Sequence, residues 1–188
     1  MTDERLVELC KQGEEYAFEI LIQRYHQRLF NFIFSYIENQ QSTEDIVQET
    51  FIKMIKNINT YKLQANAKFS TWLFTIARNT ITDEVRKGRI RETIPIDDEE
   101  NTIPSKEDSV EDTVIKNEMI SSINQTINTL PPDLKSMVLL KYYMDFSYKE
   151  IAEIIKTTPE KVKGQLHYAV EKIRKKLGTR GVNAIEQQ

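Results

Sequence analysis

Cysteine is nearly absent from this chain: Cys10 is the only one in 188 residues. A single thiol excludes an intramolecular disulfide and suits a reducing cytoplasm. Histidine is almost as scarce, with His26 and His167 far apart and neither in an HExxH-like ligand pattern, so no metal centre or other cofactor is expected. Glycine and proline number five each, too few for a turn-rich β fold, and helical periodicity runs through the chain with little interruption. No run of about 18 apolar residues exists, so no membrane-spanning helix is expected. The opening MTDERLVELCKQGEE lacks the basic and apolar regions of a signal peptide. There is no glycine-rich phosphate loop and no nucleophile elbow, and Cys10 has no local basic pair to activate it. These gaps leave little room for an enzyme and no expected small-molecule substrate.

What is present is charge, unevenly distributed. The formal net charge is −3, but that average hides three regions. Residues 1–92 carry 13 basic and 13 acidic side chains, 93–112 carry 1 and 8, and 113–188 carry 12 and 8. The acidity sits mainly in one short segment, and basic residues cluster at 86–91 and 172–176. The segment TIPIDDEENTIPSKEDSVED (93–112) holds two prolines and few large apolar residues, so it reads as a flexible acidic linker between two helical domains, 1–92 and 113–182, with a tail at 183–188. The expected fold class is all-α, and the C-terminal domain contains a helix-turn-helix.

The spacing predicts four helices before the linker, at 3–11, 14–37, 43–60 and from the FSTW stretch to about residue 89. Ser42 and Ser70 are the expected N-caps of the third and fourth. The third is expected to bury Ile46, Val47, Phe51, Met54, Ile55 and Ile58. In FSTWLFTIARNTITDEVRK two stripes separate. Leu73, Ile76, Ala77, Ile81 and Val85 face a core, and Thr71, Thr75, Arg78, Thr82 and Arg86 follow the same rhythm elsewhere, extended by Lys87, Arg89 and Arg91. Short hydroxyls beside cations suit close approach to phosphates and sugars, although an ordinary solvated helix face has the same pattern.

After the linker, Ile120, Ile123, Ile127 and Leu130 mark a helix ended by Pro131-Pro132, and 133–143 form another with Met137, Val138, Leu140 and Tyr143 in the core. Ser147 with Glu150 forms a capping box ahead of Ile151, Ala152, Ile154 and Ile155. Lys156-Thr157 makes a turn, Thr158 caps the next helix and Pro159 occupies its first position. That helix buries Val162, Leu166, Ala169, Val170, Ile173 and Leu177. Its exposed N-terminal half offers Glu160, Lys161, Lys163, Gly164, His167 and Tyr168 to base edges, with Lys149 and Lys156 placed to hold phosphates. A helical hairpin used for protein contacts would have the same outline.

Three stretches together, STEDIVQETFIKMIKNINTY, FSTWLFTIARNTITDEVRK and LPPDLKSMVLLKYYMDFSYKEIAEIIKTTPEKVKGQLHYAVEKIRKKL, resemble an extracytoplasmic-function (ECF) sigma factor over about residues 4–178. The resemblance implies that 1–92 is sigma domain 2, which docks on core RNA polymerase and opens promoter DNA at the −10 element. It implies that 113–182 is sigma domain 4, which reads the −35 element. Asp45, Gln48, Glu49 and Ile52 would meet the polymerase clamp. Leu63, Asn66, Lys68, Thr75, Arg78, Asn79, Thr82 and Arg86 would meet the −10 strand, with Asn66 in the loop that captures a flipped base. Lys149, Lys156, Lys161, Lys163, Gly164, His167 and Tyr168 would meet the −35 element. Phe69, Trp72 and Phe74 would support the fold, with Trp72 mostly buried. Gln165, Tyr168 and Val170 stand where the family often has arginine, which removes phosphate-binding charge. The implied partners are core RNA polymerase, promoter DNA and an anti-sigma factor, often membrane-bound, that covers both domains. The competing class is a helix-turn-helix regulator acting without polymerase; it expects a ligand pocket or phosphoacceptor aspartate in the N-terminal half, and neither pattern is visible.

Overall fold

The computed structural model describes residues 1–61, 68–88 and 123–177. Among them every regular element is helical. The linker at 93–112, the tail at 183–188, and Leu63, Asn66, Arg89, Arg91 and Ile120 lie outside the described residues, as does the side chain of Leu177.

Helix α1 (Asp3–Lys11) starts where Thr2 accepts a hydrogen bond from the Arg5 amide at 3.4 Å, with Asp3 and Glu4 at its positive dipole end. Asp3 also accepts from Arg24 and Tyr25 of α2 (Glu15–Ile37), which fixes the first helix on the second. Of the apolar stripe that the spacing predicts for α2 (Phe18, Leu21, Ile22, Tyr25, Leu29, Phe32, Ile33 and Tyr36), all are buried except Phe18 and Ile22, which are half-buried. Glu38 closes α2 in the left-handed conformation (φ 51°).

Helix α3 (Gln40–Asn57) begins earlier than the spacing predicts. Asn39, in extended backbone, accepts from the Ser42 amide at 2.9 Å, so Ser42 is the donor at this cap and not the cap itself. Its buried stripe is Thr43, Ile46, Val47, Thr50, Phe51 and Met54; Ile55 lies off that stripe and is 42% exposed, which corrects its expected place in the core. A single 3-10 turn (Ile58–Thr60) follows.

Helix α4 (Phe69–Arg86) starts at Lys68, which makes no side-chain cap, and Ser70 lies inside the first turn; the expected serine cap is absent. Here burial decides the boundary. Phe69 must already be helical to insert between Tyr25 and Tyr61, with ring centroids at 5.6 and 5.9 Å. Leu73, Phe74, Ala77 and Ile81 are buried, Ile76 and Val85 half-buried. Trp72 is half-buried too, less than expected, tilted against Tyr61 and Phe69.

In the second half, α5 (helical over 123–128) leads to Pro131, and α6 (Pro132–Val138) runs into a π-helical stretch, Leu139–Tyr143. A π turn holds more residues than an α turn, so side chains within and beyond it rotate away from the extrapolated stripe. Tyr143, expected in the core, is therefore 54% exposed. Helix α7 (Tyr148–Ile155) has the expected capping box: the Ser147 hydroxyl accepts from the Glu150 amide at 3.3 Å, and Glu150 Oε2 accepts from the Ser147 amide at 2.8 Å. Ser147→Ala should therefore lower stability by about 1 kcal/mol, read as a shifted urea midpoint, while Ser147→Thr should stay close to wild type.

Lys156 ends α7 in the left-handed region (φ 59°), the Thr157 amide returns to the Ala152 carbonyl at 2.9 Å, and α8 (Pro159–Leu177) starts at once. Thr158 Oγ1 accepts from the Lys161 amide at 3.3 Å, as its expected role as a cap requires. Ile151 and Ile154 of α7 and Val162, Leu166, Ala169 and Ile173 of α8 are buried; Ile155 and Val170 are half-buried.

The halves share an aromatic seam. Phe32 of α2 meets Phe74 of α4 edge-on at 5.2 Å, and Phe74 meets Phe146, just ahead of α7, also at 5.2 Å.

Candidate nucleic-acid interface

Three surfaces carry the expected site residues. The first is the outer side of α3. Asp45, Gln48, Glu49 and Ile52 are all exposed and recur at three- and four-residue steps, so they form one stripe. Ile52 is 44% exposed, and Ile55 lengthens the apolar part of this surface. Ile55 was missed because an apolar residue in an amphipathic helix is assigned to the core by default; its spacing of three from Ile52 was the available signal. Lys53 sits beside the stripe, 3.7 Å from Glu49 and 3.9 Å from Asp83 of α4.

The second surface is the polar side of α4. The Thr75 hydroxyl donates to the Thr71 carbonyl at 2.8 Å and the Thr82 hydroxyl to the Arg78 carbonyl at 2.9 Å. Both are satisfied inside the helix, which lets a threonine-rich face come close to another surface without losing hydrogen bonds. The Arg78 guanidinium lies 4.8 Å from the Tyr36 ring centroid, donates to Thr82 Oγ1 at 2.9 Å and reaches Asp133 of α6 at 3.1 Å. Its side chain is only 17% exposed. Asn79 is half-buried and Arg86 exposed. Thr71 is not on an open face: it is buried, with its hydroxyl 3.4 Å from Glu150 Oε1. Lys68, at the start of α4, pairs with the same carboxylate oxygen at 3.1 Å. Burial opposes the charge on Glu150, but hydrogen bonds from Ser147 and the pairing with Lys68 outweigh it and hold the carboxyl below its ordinary value.

The third surface is the helix-turn-helix. Lys149 and Lys156, on and at the end of α7, are exposed, as are Lys161, Lys163, Gly164, His167 and Tyr168 of α8, away from that helix's buried row of Val162, Leu166, Ala169 and Ile173. A side-chain carbon added at Gly164 would meet nothing within 4 Å. The glycine is thus not required by this chain's own packing, and in a helix it costs about 1 kcal/mol relative to alanine. Open space at that position leaves room for a partner's backbone.

Cys10 is buried, and burial pushes its thiol up to about 11, far from thiolate chemistry at neutral pH. Among the described residues no group of His, Cys, Asp and Glu could hold a metal ion, and no helix is long and apolar enough to cross a membrane.

Comparison with known proteins decides the lineage. The family model described as Sigma-70 region 2 matches residues 21–90, and that of Sigma-70, region 4, matches 120–173. The chain is 32% identical over 184 residues to the ECF RNA polymerase sigma-E factor of Haemophilus influenzae, covering 94% of this chain and 96% of that one. It is also 32% identical to the ECF RNA polymerase sigma factor SigW of Bacillus subtilis, covering 94% and 97%. This chain belongs to the ECF sigma factor family. The two helical units of this sigma factor are therefore region 2, whose match covers most of α2 with α3 and α4, and region 4, whose match covers α5 to α7 and most of α8. The overall fold is similar to that of the sigma factor RpoE solved in complex with the anti-sigma factor NepR from Bartonella quintana. The TM-score is 0.63 at 22% identity, covering 85% of this chain and 96% of that one.

Proposed function

We propose that this chain binds core RNA polymerase and directs promoter-specific transcription initiation, without catalysing a reaction itself. Residues 1–92 act as the polymerase-docking and promoter-opening domain, and residues 113–182 as the −35 reader, with 93–112 linking them. Docking uses Asp45, Gln48, Glu49 and Ile52 of α3. Lys68, Thr75, Arg78, Asn79, Thr82 and Arg86 hold the −10 strand, with Leu63 and Asn66 in the adjoining loop. Stacking and backbone neutralisation are what a separated strand demands. Lys161, Lys163, Gly164, His167 and Tyr168 enter the major groove, and Lys149 and Lys156 hold the flanking phosphates.

The observation that carries this reading is the separation of surfaces. An acidic-apolar stripe on α3, a threonine–arginine face on α4 and a basic helix-turn-helix all coexist in one family-typical chain. A DNA-binding regulator that never meets polymerase has no use for the first of them. The chain acts in the cytoplasm, where polymerase and promoter are, and an anti-sigma factor covering both units is the expected control; the similar RpoE was itself solved in complex with an anti-sigma factor, NepR. Run-off transcription with purified core enzyme on a genomic promoter library tests the whole reading. Specific transcripts that require this chain are expected; absence of both core binding and specific transcripts would refute it.

A further inference from the structure

Part of the α4 face assigned to the −10 strand meets the C-terminal unit: the Arg78 side chain is only 17% exposed, whereas Lys68 stays 69% exposed with its ammonium turned to Glu150, and Arg86 is exposed. Lys68 is paired with Glu150 of α7 at 3.1 Å and Arg78 with Asp133 of α6 at 3.1 Å. A third bridge of reversed polarity, Lys135 of α6 to Glu38 at the end of α2, spans 2.7 Å. Between these pairs lies the contact of Phe74 with Phe146, and Arg28 of α2 donates to the Met144 carbonyl at 2.9 Å beside it. The interface thus has an apolar centre and a charged rim.

Glu150 divides its work between two oxygens. Oε2 completes the capping box of α7, while Oε1 faces Lys68 and Thr71 of the other unit. The cap alone needs only the first oxygen. Asp133 likewise has a local role in the first turn of α6, where its charge suits the helix dipole, and a distant one on Arg78. Carboxylate and phosphate offer arginine and lysine the same kind of charged acceptor oxygen. Two cations on the DNA-facing side of region 2 are therefore already occupied by stand-ins for phosphate.

We infer that region 4 is a built-in competitor for single-stranded DNA on region 2: Glu150 and Asp133 hold Lys68 and Arg78 in a closed form, and a DNA strand must displace them. The inference rests on the reading of α4 as the −10 face. It requires no anti-sigma factor, since every contact lies within one chain. Each bridge keeps one side chain largely buried (Glu150 10%, Arg78 17% and Lys135 5% exposed), so salt weakens the closed form only modestly.

The test uses the full chain as the double variant Asp133→Asn with Glu150→Gln. Both substitutions keep their local roles, because glutamine serves a capping box and asparagine fits the first turn. The control is Asp145→Asn with Glu153→Gln, which removes the same formal charge from two exposed positions of the same unit. The radius of gyration by X-ray scattering reports closure. Fluorescence anisotropy with a labelled, mixed-sequence single-stranded oligonucleotide reports access to α4. The latch variant should expand and bind the oligonucleotide about three- to tenfold more tightly than wild type, with the control unchanged in both measurements. An equal gain in the control would reduce the effect to general charge repulsion and overturn the inference, as would an unchanged radius in the latch variant. Expansion without tighter binding would also overturn the competition, and would place the failure in the assignment of α4 as a DNA face.

Discussion

Reversing two carboxylates on α3, Asp45→Lys with Glu49→Lys, should weaken binding to core RNA polymerase by about a hundredfold and leave the helical circular dichroism unchanged. Both side chains are exposed, and both lie on the face of α3 turned away from its buried stripe. Their loss disturbs little within the chain. Glu49 has an ion pair with Lys53 at 3.7 Å, exposed pairs of this kind contribute about 0–1 kcal/mol, and Lys53 keeps Asp83 at 3.9 Å as a second partner. At a docking surface the same two charges matter far more, because a reversed charge meets its former partner as a repulsion in a partly desolvated contact. Ile52, one turn beyond Glu49 on the same stripe, adds an exposed apolar side chain to this face. Pull-down or surface-plasmon measurements with core enzyme, paired with thermal unfolding, separate the outcomes. Unfolding without any prior loss of binding would show that this face is structural.

Much of the architecture is legible in the sequence because it depends on local rules. The 3.6-residue spacing of Leu21, Tyr25, Leu29, Phe32 and Tyr36 defines the buried stripe of α2, and the Ser147–Glu150 and Thr158–Pro159 pairs place the starts of α7 and α8 within a residue. What the sequence hides is decided by partners distant along the chain. Ser70 has the chemistry of a cap, but Phe69 is pulled into the helix by Tyr25 and Tyr61, and the boundary moves with it. Tyr143 keeps the right interval from Leu140 for a core position, yet the π turn between them changes the phase. Thr71 is grouped with Thr75 and Thr82 by spacing, yet it is buried beneath a glutamate 79 residues away. For the same reason the pairing of Arg78 with Asp133, which covers part of the α4 face, leaves no periodic trace at all.

The recognition helix supplies the second large effect. Lys163 is exposed on α8, opposite the row of Val162, Leu166 and Ala169 that fastens this helix to the rest of region 4. Removing its side chain therefore leaves the core intact, and any change in DNA binding reports on the contact itself. If the ammonium reads a guanine in the major groove, Lys163→Ala should cost about 1–3 kcal/mol and relax preference at one base pair of the −35 element. If it neutralises a phosphate, affinity should fall evenly across sequences and the slope of log affinity against log salt should shrink by about one. The scarcity of arginine on this helix favours the first outcome. Gln165, Tyr168 and Val170 carry no charge, so few phosphate contacts are available there to dilute a base-specific one. His167→Ala and Tyr168→Ala, one turn further along the same exposed face, should shift −35 preference without changing −10 melting. Selection from a randomised −35 library with the full holoenzyme, run at two salt concentrations, measures both quantities at once. Unaltered −35 selectivity in all three variants would mean that α8 does not enter the groove.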